Sequence, residues 1–253
     1  MAENGENLQK DQEGNWARPV SRLKVKDIPQ GATGINLDGR PVYGALQGFG
    51  KMWQKTYRVR LSGANVTPEE VMKVWKENFP KFQPPENHFY PSMAGVKPGE
   101  VLFISTRLPV LPGLPGIIPF SSGVMILYAD DTSFTVMTPE GFPDYGWNTF
   151  STYDDDGTTV AQVQSFVRAA DPIYEFGNYF MGGAELQERT WQHVLSSLAE
   201  YFGVRGYVQF YKVCLDPRFQ WSEARHIWRN AAIRTFFYVL SSPIRWVQKQ
   251  LQR

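Results

Sequence analysis

The chain is short of the residue types on which much enzyme chemistry and most export signals rest. It has one cysteine, Cys214, in 253 residues. An internal disulfide is therefore excluded, and a reducing, cytoplasmic compartment is expected. In the strand-like run YVQFYKVCL that thiol reads as a small core residue. The three histidines, His88, His193 and His226, stand far apart and form no HExxH or CxxC arrangement. No metal and no cofactor is expected from them. There is no GxSxG elbow for a nucleophilic serine. The glycines of GALQGFG, Gly44, Gly48 and Gly50, lack the GK[ST] of a phosphate loop. No apolar run reaches the roughly 18 residues of a membrane span, and no secretory h-region follows Met1. A net charge of +1 argues against a general nucleic-acid binder.

What the chain has is rings. Aromatic residues make up 15%, with eight Trp and seventeen Phe, enough for an interior with large flat surfaces to fill or to offer to a ligand. Charge is unevenly spread. From Arg225 onward there are six basic and no acidic side chains, leaving 20 basic against 25 acidic before it.

Periodicity organises the middle of the chain. In GWNTFSTY, residues Trp147, Thr149, Ser151 and Tyr153 fall on one side of a strand, and Asn148, Phe150 and Thr152 on the other. A second strand, TTVAQVQSFVRA, follows the turn DDDG. Gln162, Gln164, Phe166 and Arg168 share one face; Ala161, Val163, Ser165 and Val167 share the other. A one-residue slip reverses such an assignment, so the inward face stays open. After a connection, DPIYEFGNYFMGG, helical spacing takes over in AELQERTWQHVLSSLAEYF. Trp191, Val194, Leu195, Leu198 and Phe202 form a stripe that must lie on something broad and apolar, and the preceding sheet is the nearest candidate. Sheet and helix are expected to face each other across an enclosed space.

Elsewhere, KTYRVRL reads as a strand. Thr67, Pro68 and Glu70 form a capping box that opens a helix ended by Pro80. VLFISTRL is a strand, and Gly123 to Tyr128 with Ser133 to Thr138 make a hairpin around Asp130-Asp131. The segment PVLPGLPGIIPF, with four prolines, is expected to be a loop, folded over the open end of the domain, touching a membrane or forming a pocket mouth. Residues 1–19 read as a disordered polar tail, 20–54 as an arm, 55–221 as one domain and 222–253 as a basic amphipathic helical tail.

This order, a strand, a helix ending in F-P, a Pro-rich link, about five antiparallel strands and one long helix, resembles the START and birch-pollen-allergen (SRPBCC, helix-grip) superfamily across roughly residues 55 to 202. YRVRLSGANVTPEEVMKVWKENFPKFQP is similar to its opening. GALQGFG and TPEGFPDYGWNTFS look like a bacterial and plant branch of unknown function. The resemblance implies an α+β fold, a curved antiparallel sheet gripping a long helix, here with an added C-terminal strand and basic helices. It also implies binding of an apolar small molecule, a lipid, isoprenoid or polyketide-like aromatic, between sheet and helix.

Candidate lining residues are Trp147, Phe150, Gln164, Phe166, Arg168 and Trp191. Should the chain instead be a cyclase or hydrolase-type enzyme, Glu140 or Glu175 would be its base; Asp171 equally starts a turn. In the tail, Trp228, Arg229, Arg234, Phe237, Arg245 and Trp246 suit an anionic membrane surface or an acidic partner. Alternatively the apolar side packs back on the domain while the arginines reach into water. Oligomeric state is not readable.

Overall fold

The computed structural model describes residues 14–25, 28–90, 94–109 and 116–243. In chain order its elements are β1 (Val42–Tyr43), β2 (Met52–Arg60), α1 (Pro68–Glu77), β3 (His88–Tyr90), β4 (Val101–Leu108), β5 (Ile118–Ala129) and β6 (Ser133–Pro139). Then come β7 (Asp144–Asp155), β8 (Thr158–Ala169), α2 (Pro172–Phe180), α3 (Gly183–Tyr201), β9 (Gln209–Asp216) and α4 (Ala231–Leu240).

The predicted hairpin is the spine of the sheet. β7 and β8 stay in step from Asp144 opposite Ala169 to Asp155 opposite Thr158. Their connection, Asp156-Gly157, has φ of 52° and 74°, the two left-handed residues of a tight turn whose twist matches the strands. The described strands form one curved antiparallel sheet in the order β3-β4-β5-β6-β7-β8-β2-β9, with β1 on β6. Against its inner face lies α3, burying Trp191, Val194, Leu195 and Leu198 of the expected stripe. Beside it, α1 buries Val71, Met72 and Trp75, and its capping box is present: Glu70 N donates to Thr67 Oγ1 and Thr67 N to Glu70 Oε2. A curved antiparallel sheet holding one long helix is the helix-grip arrangement.

Part of the outer face of the sheet is covered as well, which the alternation alone does not reveal. Leu102, Ile104, Val124 and Ile126 join the inner core with α1 and α3. Their neighbours Phe103 and Met125 point the other way and pack with Leu23 and Leu37 from the N-terminal segment.

Several expectations are corrected. The connection after β8 is a helix, α2. Asp171 accepts from Ile173 N and Tyr174 N at 2.8 and 3.0 Å through Oδ1, with Pro172 at the first helical position, the helix-start chemistry of an Asp-Pro pair. Part of the proline-rich segment is strand, since β5 begins at Ile118 and runs through Pro119. β6 pairs with β5 only from Met125 onward, so Pro119 sits where β5 has a free side and its missing N–H costs nothing. Residues 110–115 lie outside the described residues. Cys214 is exposed because β9 is an edge strand supported only by β2.

The free side of β5 is sealed from the C-terminal end. Ser121 N donates to Thr235 Oγ1 of α4 at 3.3 Å, and Ser121 O accepts from Asn36 Nδ2 at 2.7 Å. Asn230, the N-cap of α4, also donates to Asp171 Oδ2 at 2.9 Å. The C-terminal helix thus closes a sheet edge with side-chain hydrogen bonds in place of a strand.

Candidate functional site

Between the inner face of the sheet, α2 and α3 lies a cavity of about 240 Å³. Its walls are mainly apolar: Leu102 and Ile104 of β4, Val124 of β5, Val136 of β6, Phe150 of β7 and Leu186 and Trp191 of α3. Phe79 and Phe89 close one side, Ile173 and Tyr174 come from the first turn of α2, and Met181 stands at the α2–α3 junction. A wider cleft of about 1060 Å³ shares Thr106, Pro109, Phe120, Leu186 and Thr190 with it. That cleft is bordered by the exposed side chains of Glu86, His88, Arg107, Arg189 and His193, so it faces solvent.

The space does not lie where the sequence suggests. Phe150 and Trp191 touch, with ring centroids 5.4 Å apart at 73°. Phe150 also stacks on Phe134 at 4.4 Å and meets Phe79 and Trp75 edge-on. Sheet and helix are therefore in contact at the centre of the β7–α3 seam. The cavity opens to one side of that cluster, toward β4, β5 and α2.

Thr106 on the lining is paired with Asn87, Thr190 with Leu186 O and the Tyr174 hydroxyl with Gly141 O and Ala232 N; two further sets of polar groups remain. At one end Asp144 accepts from Gln187 Nε2 at 2.9 Å and Asn178 Nδ2 at 3.3 Å, while Gln187 Oε1 accepts from the buried Lys55 ammonium. Burial lowers the Lys55 pKa below its ordinary 10.5, and the Asp144 charge opposes that shift. This corner is internally satisfied. The second set is Asn148 and Trp191, each 8% exposed. Asn148 Oδ1 and Trp191 Nε1 have no hydrogen-bond partner. Asn148 lies in one cross-strand row with Ser165 and Lys55, and Ser165 Oγ behind it is likewise without a partner.

The register places the five expected lining residues of β7 and β8 on opposite faces, and the sixth, Trp191, lies on α3. Phe150 and Trp191 border the cavity. Trp147, Gln164, Phe166 and Arg168 do not: cross-strand partners share a face, and Trp147 opposite Phe166 and Thr149 opposite Gln164 lie on the outer one. Trp147 stacks on Phe166 at 5.5 Å, and Gln164 donates to Thr56 Oγ1 at 3.4 Å. Arg168 is 1% exposed and donates to Asp216 Oδ2 at 2.8 Å, tying the end of β9 to β8.

The two glutamates also lie away from the cavity. Glu140 pairs with Arg40 at 2.6 Å. Glu175, whose pKa is raised chiefly by burial, accepts from Lys51 N at 3.4 Å. It fits against Gly50, where any side chain would collide with its carboxylate, so the GALQGFG glycine serves close packing. Among the described residues the carboxylate on the cavity wall is Asp144.

In the C-terminal segment Trp228 is 83% and Phe237 60% exposed. Arg229 Nε lies 3.9 Å from Glu140. Arg234 is not free to reach outward, since it donates to Asn36 Oδ1 and Ile35 O, both at 3.1 Å. Arg245 and Trp246 lie outside the described residues. No helix among those described is long and apolar enough to cross a membrane.

No family model and no curated protein matches the chain. Among solved structures it is similar to a START superfamily protein. That protein, from Mycobacterium smegmatis, shares 18% identity over 61% of this chain and 98% of its own, with a TM-score of 0.39. Ara h 8.0201 shares 14% over 59% of this chain and 97% of its own, at 0.38. The di-domain ARO/CYC StfQ from the steffimycin biosynthetic pathway shares 12% over 60% of this chain and half of its own, at 0.42.

The orphaned atoms had no signal in the sequence. An asparagine inside an alternating strand and a tryptophan in an apolar stripe are ordinary there, and whether each finds a partner depends on tertiary placement.

Proposed function

We propose that the protein binds and carries a small apolar molecule in the cavity between the sheet and α3. The observation that carries this reading is the cavity itself: about 240 Å³ of mainly apolar space between sheet and helices, opening toward the outer cleft. Covering apolar ligand surface would contribute roughly 25 cal/mol per Å², with a few polar groups setting orientation. Size limits the occupant. A cavity of about 150 Å³ holds one benzene, so this one suits roughly ten to a dozen non-hydrogen atoms. A two-chain lipid would have to leave most of its bulk in the outer cleft.

The test is native mass spectrometry of freshly purified full-length protein before and after solvent extraction. A reproducible adduct lost on extraction is the expected result; protein at its bare mass from several expression hosts would count against the reading.

A second reading, attachment to an anionic membrane surface, is favoured by α4. It buries Ala231, Ala232 and Thr235 but leaves Phe236 47%, Phe237 60% and Leu240 64% exposed, beside Trp228 and Arg229. Co-sedimentation with phosphatidylserine vesicles, lost in a Phe236→Ser/Phe237→Ser variant, is expected; equal sedimentation of both proteins would exclude this surface.

A further inference from the structure

We infer that Phe89 is a specificity-determining residue: its ring is the weakly held part of a partition that limits how long an apolar ligand the cavity accepts. This rests on the cavity reading above and adds the residue that measures the ligand.

A second pocket of about 340 Å³ lies behind the side of the cavity that Phe79 and Phe89 close. Phe79, Phe89 and Leu102 border both spaces, so the wall between them is one side chain thick. The register agrees. Phe89 pairs with Ile104, cross-strand partners share a face, and Ile104 lines the cavity. The Phe79 and Phe89 rings meet edge-on, with centroids 5.3 Å apart at 79°. Beyond them Pro80 and Val96 continue the apolar floor, while the exposed side chains of Glu77 and Lys81 stand on the rim. The second pocket therefore opens to solvent.

Of the three partition residues, Phe89 is the least restrained. Phe79 and Leu102 are 4% and 3% exposed, and the Phe79 ring also meets Phe134 and Phe150. Phe89 is only half-buried, and among the described residues Phe79 is its one ring contact. It sits on the three-residue strand β3, at the edge of the sheet and paired with β4 alone. Displacing Phe79 would break three ring contacts of the core; displacing Phe89 breaks one.

The consequence is a limit on chain length. With the partition in place the cavity holds roughly ten to a dozen non-hydrogen atoms. A longer chain leaves its remaining methylenes in the solvent-facing outer cleft, where they gain little. Truncating Phe89 removes its ring and joins the second pocket to the cavity, so those methylenes find apolar cover in the opposite direction.

The test is equilibrium dialysis of the full chain against the linear 1-alkanols from hexanol to tetradecanol. In the wild-type protein affinity is expected to climb about fourfold per methylene and to level off near decanol. In Phe89→Ala the climb continues, so tetradecanol gains about tenfold or more over wild type while hexanol changes little. A break at the same length in both proteins, a wild-type climb that never levels, or a folded Phe89→Ala that binds none of the alkanols overturns the assignment to Phe89 and leaves the cavity reading standing. Failure of every alkanol to bind the wild-type protein overturns both. Should Phe89→Ala not fold, Phe89→Leu serves in its place: its break is expected to move to a longer chain by a smaller step, and an unmoved break would refute the partition.

Discussion

Replacing Val136 by Phe separates a cavity from a solid interior by the sign of its effect on stability. Val136 is buried on β6, opposite Asn148, and its side chain borders the space between sheet and helix. Phenylalanine adds four carbons, worth at most about 3 kcal/mol at roughly 0.8 kcal/mol per buried methylene-sized group. Imperfect fit costs about 1 to 3 kcal/mol, so the net expectation is between about 0 and 2 kcal/mol of stabilisation. In a close-packed interior the same ring would destabilise by about 1 to 3 kcal/mol. Urea unfolding distinguishes these: with a slope of about 1 to 3 kcal/mol per molar urea, the midpoint should hold or rise. A midpoint lowered by the equivalent of more than about 1 kcal/mol at unchanged slope would refute the reasoning.

Two further predictions test the supports of the site. Asn230→Ala removes the α4 cap and strands Asp171 Oδ2; with about 0.5 to 2 kcal/mol for the cap and about 1 to 3 kcal/mol for a buried acceptor left alone, a loss of roughly 2 to 4 kcal/mol is expected in chemical denaturation. A change below about 0.5 kcal/mol would show that the C-terminal helix is not anchored there. Lys55→Met tests the polar corner through pH. Because burial lowers the folded-state pKa of Lys55 below 10.5, the unfolded chain holds more protons between those two values. Wild-type stability should therefore rise with pH across that window relative to the variant, and the penalty for protonated Lys55 should be complete below it. Parallel unfolding curves from pH 8 upward check this, and a wild-type stability that stays level or falls relative to the variant across that window would contradict it.

The strand alternation in GWNTFSTY and TTVAQVQSFVRA and the helical stripe from Trp191 to Phe202 made the sheet and its long helix legible, because burial on one face leaves a period. The inward face was not legible, and Trp147, Gln164, Phe166 and Arg168 show why. The chain at Gly44 and Gly48 lies against Trp147 and Arg168, and Arg168 is tied to Asp216 of β9, so part of the outer face of β7 and β8 is covered and large side chains occur on both sides. In the sequence α2 reads only as a connection, because Asp171-Pro172 starts a turn or a helix alike and Gly177 weakens the helical pattern. Cys214 reads as core in the sequence because edge and central strands share one composition; only the pairing order shows that β9 has a single neighbour. The place of the cavity depends on the Phe150–Trp191 contact, a tertiary fact with no local trace.

The most direct measurement of the central claim is a crystal of the full chain pressurised with xenon, which enters dry apolar cavities large enough to hold it. The account predicts xenon density beside Phe150 and Trp191, bounded by Leu102, Ile104 and Val124. Side chains collapsed into that region, or a chain of ordered waters with no xenon among them, would contradict it.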